Sequence, residues 1–484
     1  MTQPTQLSVL RNLKIALFHL GSGMADVITT GVWNRVMITD LGFSATPIGL
    51  LVALRYFLAP IGVWAGRMSD RHAVLGYRRL FWVWLGRAMM ALSIFALGAI
   101  TSSLVRGAAA DVGVWAVIAV SLLLFSLGSA LSGGTFLSLI YDLSRADQRG
   151  RSVGIVWTFL LLGFTIGGVL FGVLLPSSES RLVRYGSTAH ILPATAAQVE
   201  GVFFTELGVL PFSAGDIETL FFAAAGVLAA LWFFSLLGEE RRSRGAVESA
   251  ADESTTSLLA DLRLAWSNRT TRLFFWFLAL SMLFTFSQDL ILEPFAGEVF
   301  GMDARVTTRF AAYWGSMSIL ATVAFLLIGR RYKSITHTRM SVWGVIVLIA
   351  TFAVFALSSF AGIRGLVTPG LILLGIGLGI WNVGTLGLMM EMSPFGRAGT
   401  FLGFWTLVVT LARGVGVSGG GVMLDIGRAL TGNPAIAYGA VFAIGAVGLG
   451  VSLAALRRIN VKTFAQTHGS VESTPQAVLA SSMD

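Results

Sequence analysis

The chain has 484 residues, of which 55% are hydrophobic and only 12% charged, and this composition excludes a set of soluble domains. It predicts a membrane protein that crosses the bilayer many times. The formal net charge of +9 does not indicate nucleic-acid binding, because the basic residues fall in short loops between apolar runs. Cys is absent, which excludes disulfides and thiolate metal sites.

Apolar runs of about 20 residues, each long enough to cross a hydrocarbon core of about 30 Å, follow one another along the chain. The first six lie at residues 13–40, 46–66, 80–101, 112–141, 152–175 and 217–238. The last six lie at residues 272–299, 308–329, 340–360, 366–391, 399–424 and 435–456. These runs predict an all-α membrane protein with about twelve transmembrane helices.

A polar linker divides the predicted helices into two sets of six. The N-terminal half covers residues 1–238 and the C-terminal half covers residues 271–456, with a tail at 457–484. The linker, residues 239–270, is charged and rich in small residues, and its later part has an apolar helical face that predicts a short helix on the membrane surface. The long loop at 176–216 suggests no role.

Basic residues are concentrated in alternate loops of this arrangement. Arg and Lys cluster after the second, fourth, sixth, eighth and twelfth spans, whereas the other loops hold only scattered arginines. The positive-inside rule then places both termini in the cytoplasm, in an inner membrane crossed many times.

The first span contains a polar stripe, because five residues recur at intervals of three to four: His19, Gly23, Asp26, Thr30 and Asn34. A helix places such residues on one face, so we expect them to line a central cavity, with Arg35 beside them. For His19, an interhelical hydrogen bond is the leading interpretation. Axial ligation of a metal-centred macrocycle is a second interpretation, because imidazole suits it.

Further polar side chains interrupt other apolar runs: Arg55, Arg87, Asn382 and Arg413. Charges within a membrane span are costly unless they are paired. We therefore expect some of these arginines to pair with Asp26, Asp289 or Glu391 across the bundle.

The run from Ser287 to Met302 places Asp289 and Glu293 inside an otherwise apolar span, with Gln288 beside them. A spacing of four residues sets the two carboxylates on one helical face, and Pro294 is expected to bend or end the helix. An ionisable group in such a span suggests a functional site. The other interpretation is a position near the far membrane interface.

An internal repeat supports two related halves. A shift of 249 positions aligns Asp142 with Glu391 and brings several glycines into register, including Gly128 with Gly377. This recurrence favours duplicated six-helix halves, as in major facilitator transporters. In the fifth span, glycines spaced by four, from Gly163 to Gly172, predict close helix packing.

The loop from Gly66 to Arg71, followed by Arg78, resembles the signature of the major facilitator superfamily between its second and third helices. An aspartate here can meet a helix N-terminus or an arginine of the other half and hold the inner side closed. The alternative is that these are merely positive-inside charges. The predicted gating residues are Gly66, Asp70, Arg71, Arg78, Asp142, Arg149 and Glu391.

Four stretches carry a more specific resemblance, to the PucC/LhaA family of the bacteriochlorophyll delivery branch of that superfamily. They are residues 17–24 (LFHLGSGM), 34–38 (NRVMI), 69–79 and 288–302 (QDLILEPFAGEVFGM). The resemblance implies a light-harvesting assembly factor in a cytoplasmic or photosynthetic membrane. Its expected ligand is bacteriochlorophyll or chlorophyll, a tetrapyrrole pigment, and its expected partners are antenna polypeptides and membrane lipid.

We therefore expect a protein that delivers pigment and is not an enzyme, because no catalytic constellation, P-loop or resident metal site is visible. One alternative is a proton-coupled transporter of a small solute, with Asp289 or Asp26 as the proton carrier. Another is a scaffold that contacts antenna helices and moves nothing. The predicted pigment- or substrate-binding residues are His19, Asp26, Asn34, Arg35, Gln288, Asp289, Glu293 and Asn382.

Overall fold

A computed structural model describes residues 7–145, 148–176, 212–240, 266, 269–332, 335–393 and 398–459. Most of the predicted linker, most of the loop at 176–216 and nearly all of the tail therefore lie outside the described residues. Most of the predicted surface helix of the linker also lies outside the described residues.

The N-terminal half contains six long helices, which we number in chain order. They are α1 (Val9–Asp40), α2 (Ala45–Arg71), α3 (Leu80–Val105), α4 (Val112–Leu143), α5 (Arg149–Leu174) and α6 (Ala214–Leu236). Each overlaps one predicted apolar run to within a few residues at its ends. All six are long and apolar enough to cross a membrane.

The C-terminal half repeats this arrangement with one interruption. Its helices are α7, in two segments (Arg269–Phe286 and Leu292–Phe300), α8 (Phe310–Arg331), α9 (His337–Ala361), α10 (Val367–Glu391), α11 (Ala398–Thr431) and α12 (Pro434–Arg457). Among the described residues, 11 helices reach the length and apolarity of a membrane span, and α7, which is divided into segments of 18 and 9 residues, is not one of them. The predicted all-α fold with two six-helix halves is confirmed.

Small residues allow α1 and α5 to pack at very short range. A Cβ at Gly23 would overlap the carbonyl oxygen of Leu160, and a Cβ at Gly163 would overlap that of Leu20. Glycine is required at both positions because the two backbones are in contact. The predicted glycine packing of the fifth helix is confirmed at this crossing.

The two halves meet through α2 against α11, α5 against α8, and the end of α1 against α7. We call the side where α1 begins and α12 ends the terminal face, and the other side the opposite face. Near the opposite face, Asp425 of α11 accepts hydrogen bonds from the backbone amides of Ala45 (3.0 Å) and Thr46 (2.7 Å) at the start of α2. Arg35 of α1 donates to the carbonyl of Met302 (3.0 Å), just after α7.

Helix α1 departs from regular α-helical geometry in two places. Residues Val27–Val32 and Val36–Asp40 form π-helical turns, in which the amide of Leu41 reaches the carbonyl of Val36 at 2.9 Å. Such turns are rare and are often found at functional sites. They also rotate later side chains relative to a helix with 3.6 residues per turn, so the second half of α1 presents different residues from those a regular helix would present.

Candidate central cavity

A cavity of about 450 Å³ lies between the two halves. This volume is within the range of small-molecule sites. Its walls come from α1, α2, α5, α7, α8, α10 and α11. Lining side chains include Leu326, Met389 and Thr406, which belong to the parts of α8, α10 and α11 nearer the terminal face. The cavity therefore extends toward the terminal face, whereas the contacts between halves described above close the opposite face.

Most of the lining is apolar or aromatic. The aromatic contribution comes from both halves and consists of Tyr56, Trp157, Phe164, Phe286, Trp314 and Trp381. The polar and charged contribution consists of Asp26, Thr30, Arg55, Gln288, Asp289, Glu293, Ser318, Thr322, Asn382, Thr385, Thr406, Thr410 and Arg413. Flat apolar surfaces with a few polar groups suit a large, mostly apolar ligand whose orientation is fixed by a few contacts.

The N-terminal half contributes one ion pair to this wall. Arg55 of α2 pairs with Asp26 of α1, and its second terminal nitrogen donates to the hydroxyl of Tyr56 at 2.8 Å. The Arg55 side chain is 9% exposed and that of Asp26 is 28% exposed, so the carboxylate is the more accessible partner.

The C-terminal half contributes the second ion pair. Arg413 of α11 lies 2.9 Å from Oδ2 of Asp289 in α7, and the amide of Gln288 donates to Oδ1 of the same carboxylate at 2.6 Å. The prediction that buried arginines pair with Asp26 and Asp289 is confirmed for both halves.

Aromatic rings connect the two ion pairs across the interface between the halves. The guanidinium of Arg413 lies 4.0 Å from the ring centre of Phe286 and 5.0 Å from that of Tyr56. The guanidinium of Arg55 lies 4.8 Å from the same Tyr56 ring. Tyr56 therefore receives a cation from each half, and cation–π attraction favours this arrangement in a site with little water.

Glu293 differs from the two aspartates. It lies in the first turn of the second α7 segment, is 6% exposed, and lines the cavity. Its Oε1 lies opposite Gly31, where a Cβ would be 3.6 Å away. Within the part of the chain that the structure describes, no Arg, Lys or His forms an ion pair with it.

The break in α7 is displaced from the position that Pro294 predicts. The first segment ends at Phe286, turn residues 287–291 follow, and the helix resumes at Leu292, before the proline. Pro294 occupies the first turn of the second segment, where a missing backbone N–H costs nothing. The expectation of one continuous face from Asp289 to Glu293 is therefore wrong, although the turn still brings both side chains to the cavity.

Asn382 of α10 lines the cavity and is exposed within it. Five of the eight predicted binding residues line the cavity, and the other three do not: His19, Asn34 and Arg35. The expectation that the whole stripe of α1 lines the cavity is thus met by Asp26 and Thr30 only.

The physical reasons for these departures differ from residue to residue. His19 stacks on Phe136 of α4, with ring centres 4.8 Å apart, and meets the edge of Trp157 at 6.4 Å. Asn34 follows the first π-helical turn, is completely buried, and donates to the carbonyl of Thr30 at 2.5 Å. The π turn changes the direction in which a residue four positions later projects.

Arg35 and Arg87 are buried cations outside the cavity lining. Arg35 pairs with Asp40 at 2.8 Å in addition to its bond to Met302. Arg87 has no carboxylate partner among the described residues. Its guanidinium lies instead between the rings of Phe18 (4.3 Å) and Trp232 (4.9 Å), so Arg87 is not among the arginines that pair as expected.

The predicted gating residues form two clusters at the terminal face, one in each half. In the N-terminal half, Arg79 pairs with Asp70 and with Asp142 (3.1 Å), and Arg78 pairs with Asp142 as well. In the C-terminal half, Glu391 lies 2.7 Å from His337 at the start of α9. Asp70 thus meets an arginine of its own half instead of one from the other half.

The remaining gating residues have simpler surroundings. Arg71 is exposed, and Arg149 lies over the ring of Tyr141 at 5.2 Å. Gly66 has open space where a Cβ would be, so close packing does not require glycine there. Its carbonyl accepts from the Ser69 hydroxyl at 2.7 Å.

Several residues of these sites were not predicted from the sequence. Glu240 accepts hydrogen bonds from the backbone amides of Arg78, Arg79 and Leu80, and so caps α3 from the end of α6. The carboxylate of Glu239 holds Arg11 (2.6 Å) and Lys14 of α1. The sequence did contain a signal for these two residues, because they are adjacent glutamates that directly follow a span in a stretch rich in arginine.

Comparison with known families gives one extensive match. The family model described as "PUCC protein" matches residues 32–464. The protein PucC of Rhodovulum sulfidophilum is 28% identical over 437 residues, which is 87% of this chain and 86% of the relative. A Rhodobacter capsulatus relative named "Bacteriochlorophyll synthase 44.5 kDa chain" is 29% identical over 448 residues, covering 90% of this chain and 92% of the relative.

Comparison with solved structures identifies the fold. An inward-facing, unoccupied bacterial homologue of the human lysosomal transporter Spinster superposes with a TM-score of 0.65. The superposition covers 95% of this chain and 98% of the other at 14% sequence identity. The fold is therefore that of major facilitator transporters, and the likeness carries no information about the ligand.

Proposed function

Because this chain belongs to the PUCC protein family, we propose that it binds bacteriochlorophyll or chlorophyll and delivers it to the antenna polypeptides of light-harvesting complexes. The observation that carries the proposal is the aromatic cavity between the two halves of a chain with this family membership. A tetrapyrrole has flat apolar faces and a few polar points, and the cavity wall offers matching surfaces.

The two aspartates of the wall support binding in preference to catalysis. Asp26 and Asp289 are each held by an arginine, so neither carboxylate is free for general acid or base work. We propose that the protein is not an enzyme, and that any link to pigment synthesis, as in the name of the Rhodobacter capsulatus relative, arises from delivery of the product.

The proposed location is a cytoplasmic or photosynthetic membrane with both termini in the cytoplasm. The basic loops of the sequence support this orientation. In that orientation the terminal face is the cytoplasmic one, and the cavity extends toward the cytoplasm.

A proton-coupled transporter of a small solute is the second candidate. Glu293 favours it, because this buried carboxylate has no cationic partner among the described residues and can therefore carry a proton. This candidate expects a pH-dependent flux in proteoliposomes that Glu293→Gln abolishes, with Asp26 and Asp289 fixed by their arginines. A flux that the substitution leaves unchanged counts against it.

The proposed function is tested by purifying the full-length protein in mild detergent from a host that makes bacteriochlorophyll. We expect pigment to co-purify with the protein, and deletion of the gene to lower antenna levels. A protein that recovers neither pigment nor antenna peptide, with unchanged antenna levels in the deletion strain, contradicts the proposal. Antenna peptide recovered with a protein that binds no pigment on its own identifies a scaffold.

A further inference from the structure

The charged groups of the cavity wall are unequal in number. The carboxylates of Asp26, Asp289 and Glu293 are accompanied by the guanidinium groups of Arg55 and Arg413. The two arginines are taken by the two aspartates. Glu293 is the carboxylate that remains available to a ligand.

The surroundings of Glu293 leave its side chain without a neutralising partner among the described residues. Glu293 lies in the first turn of the second α7 segment, where the backbone amides have no partner within the helix. Its Oε1 lies opposite Gly31 of α1, a residue with no side chain to fill the space between them. The cation of α1 that acts on it, Arg35, is already bound by Asp40 and by the carbonyl of Met302.

A buried, unpaired carboxylate favours a ligand that brings positive charge or an open coordination position. The magnesium of a chlorophyll-type pigment is such a group, because the four macrocycle nitrogens leave its axial positions open. Magnesium is a hard cation that takes oxygen ligands such as carboxylates, carbonyls and water. Trp314 and Trp381 line the same cavity and suit the faces of the macrocycle.

His19 is the competing candidate for this role, because imidazole also ligates metal centres. Its ring is stacked against Phe136 and is not part of the cavity lining. A macrocycle in the cavity would therefore meet Glu293 and not His19.

We propose that Glu293 is the axial oxygen ligand to the magnesium of a chlorophyll-type tetrapyrrole bound in the central cavity, an inference that rests on the proposed function. Glu293 would supply a carboxylate oxygen to the magnesium in place of a water molecule, so the magnesium–water bond would break as the magnesium–carboxylate bond forms, with no transfer of electrons. This ligand selects pigment that contains its metal over the magnesium-free form.

The experiment compares two pigments and five proteins. Pigment-free, full-length protein is titrated with bacteriochlorophyll and with its magnesium-free counterpart. Binding is followed by quenching of tryptophan fluorescence and by the visible absorption band that shifts with magnesium coordination. The proteins are the wild type, Glu293→Leu, Glu293→Gln, His19→Leu and, as a matched control on α6 outside the cavity, Glu218→Leu.

We expect the wild type to bind the magnesium pigment about tenfold more tightly than the magnesium-free form, and Glu293→Leu to bind both equally. Glu293→Gln keeps an amide oxygen and should retain part of the preference, and Glu218→Leu should retain all of it. Wild-type affinity for the magnesium-free pigment shows that a variant is folded.

Two results overturn the ligand assignment but leave pigment binding intact. One is a magnesium preference that survives Glu293→Leu or is absent from the wild type. The other is a preference that His19→Leu alone removes, which assigns the ligand to His19. If the wild-type protein binds neither pigment, the proposed function itself fails.

Discussion

At the scale of single residues, the cavity wall shows how a chain can keep ionisable groups in a membrane protein. Arg55 and Arg413 each lie beside a carboxylate and over an aromatic ring, so both the ion pair and the cation–π contact stabilise each positive charge. Removing one partner leaves an uncompensated charge, which costs more than removing both. The pairs therefore fix the positions of α1, α2, α7 and α11 around the cavity as well as lining it.

A double-mutant cycle on Asp289 and Arg413 tests this coupling. Asp289→Asn and Arg413→Gln should each lower the free energy of unfolding, and the double variant should lose less than the sum of the two. We expect a coupling of about 1–3 kcal/mol, because both side chains are mostly buried. The measurement is denaturant unfolding in detergent.

The exposed pair of Arg106 and Glu218 provides the control cycle. Its side chains are 57% and 31% exposed, so its coupling should stay below about 1 kcal/mol. Equal couplings in the two cycles would mean that the cavity pair is solvated like a surface ion pair.

The contact of α1 with α5 gives a second prediction at this scale. Gly23→Ala should lower the melting temperature markedly, because the added methyl group overlaps the carbonyl of Leu160. Gly226→Ala in α6, where the same methyl group meets open space, should not lower it. A similar loss in both variants would show that the effect is not one of packing.

At the scale of elements, α7 and α1 show what the sequence could and could not predict. The presence of a break near Gln288 and Pro294 was predictable, because an acid, an amide and a proline interrupt an apolar run. Its position was not, because the turn at 287–291 is held by the contact of Asp289 with Arg413, which is 124 positions away in the sequence. Local signals carry no information about such a partner.

The π-helical turns of α1 were not predictable for a related reason. They alter which residues reach the cavity, and the regular spacing from His19 to Asn34 gave no sign of them. Aromatic residues such as Trp157 and Trp314 were missed because an aromatic residue in an apolar run resembles core in the sequence. The charged lining, in contrast, was largely predictable because its members are conspicuous in apolar spans.

A prediction about α7 follows from the position of its proline. Pro294→Ala should lower the free energy of unfolding by less than about 1 kcal/mol and leave pigment binding unchanged. The backbone N–H that alanine restores lies in the first turn of the helix, where it has no acceptor within the helix. Asp289→Asn should perturb the site more, since it releases the turn. Melting temperature and pigment titration of both variants make the comparison, and a more severe defect in Pro294→Ala would assign the break to the proline.

At the scale of the whole molecule, composition and span spacing were enough to predict the two six-helix halves, because hydrophobic length is a property that the sequence carries locally. The relation between the halves was not predictable, because it depends on contacts such as that of Asp425 with Ala45, whose partners are 380 positions apart. The structure closes the opposite face through α2, α11, α5 and α8. The predicted gating clusters are separate from this closure, since each lies within its own half.

A disulfide across the closed face tests this description and what it implies for delivery. The chain has no Cys, so Gly168→Cys in α5 and Ala311→Cys in α8 would introduce the only pair. A Cβ at Gly168 would lie 3.3 Å from that of Ala311, close to the separation of about 3.5–4.5 Å in disulfides.

Mild oxidation should join the two halves. A protease site inserted in the linker at 241–265 would reveal the bond, because the cleaved halves would stay together on a non-reducing gel.

The cross-linked protein should still bind pigment from the terminal face, because the cavity extends toward that side. Any step that requires opening of the opposite face should stop in the oxidised protein, and reduction should restore it. The reference is the reduced double variant, because Gly168→Cys alone places a Cβ 2.9 Å from the amide nitrogen of Ala312 and Ala311 lines the cavity. Failure of the pair to cross-link would mean that α5 and α8 do not meet at this face in the resting protein, and undiminished delivery by the cross-linked protein would mean that delivery proceeds without opening there.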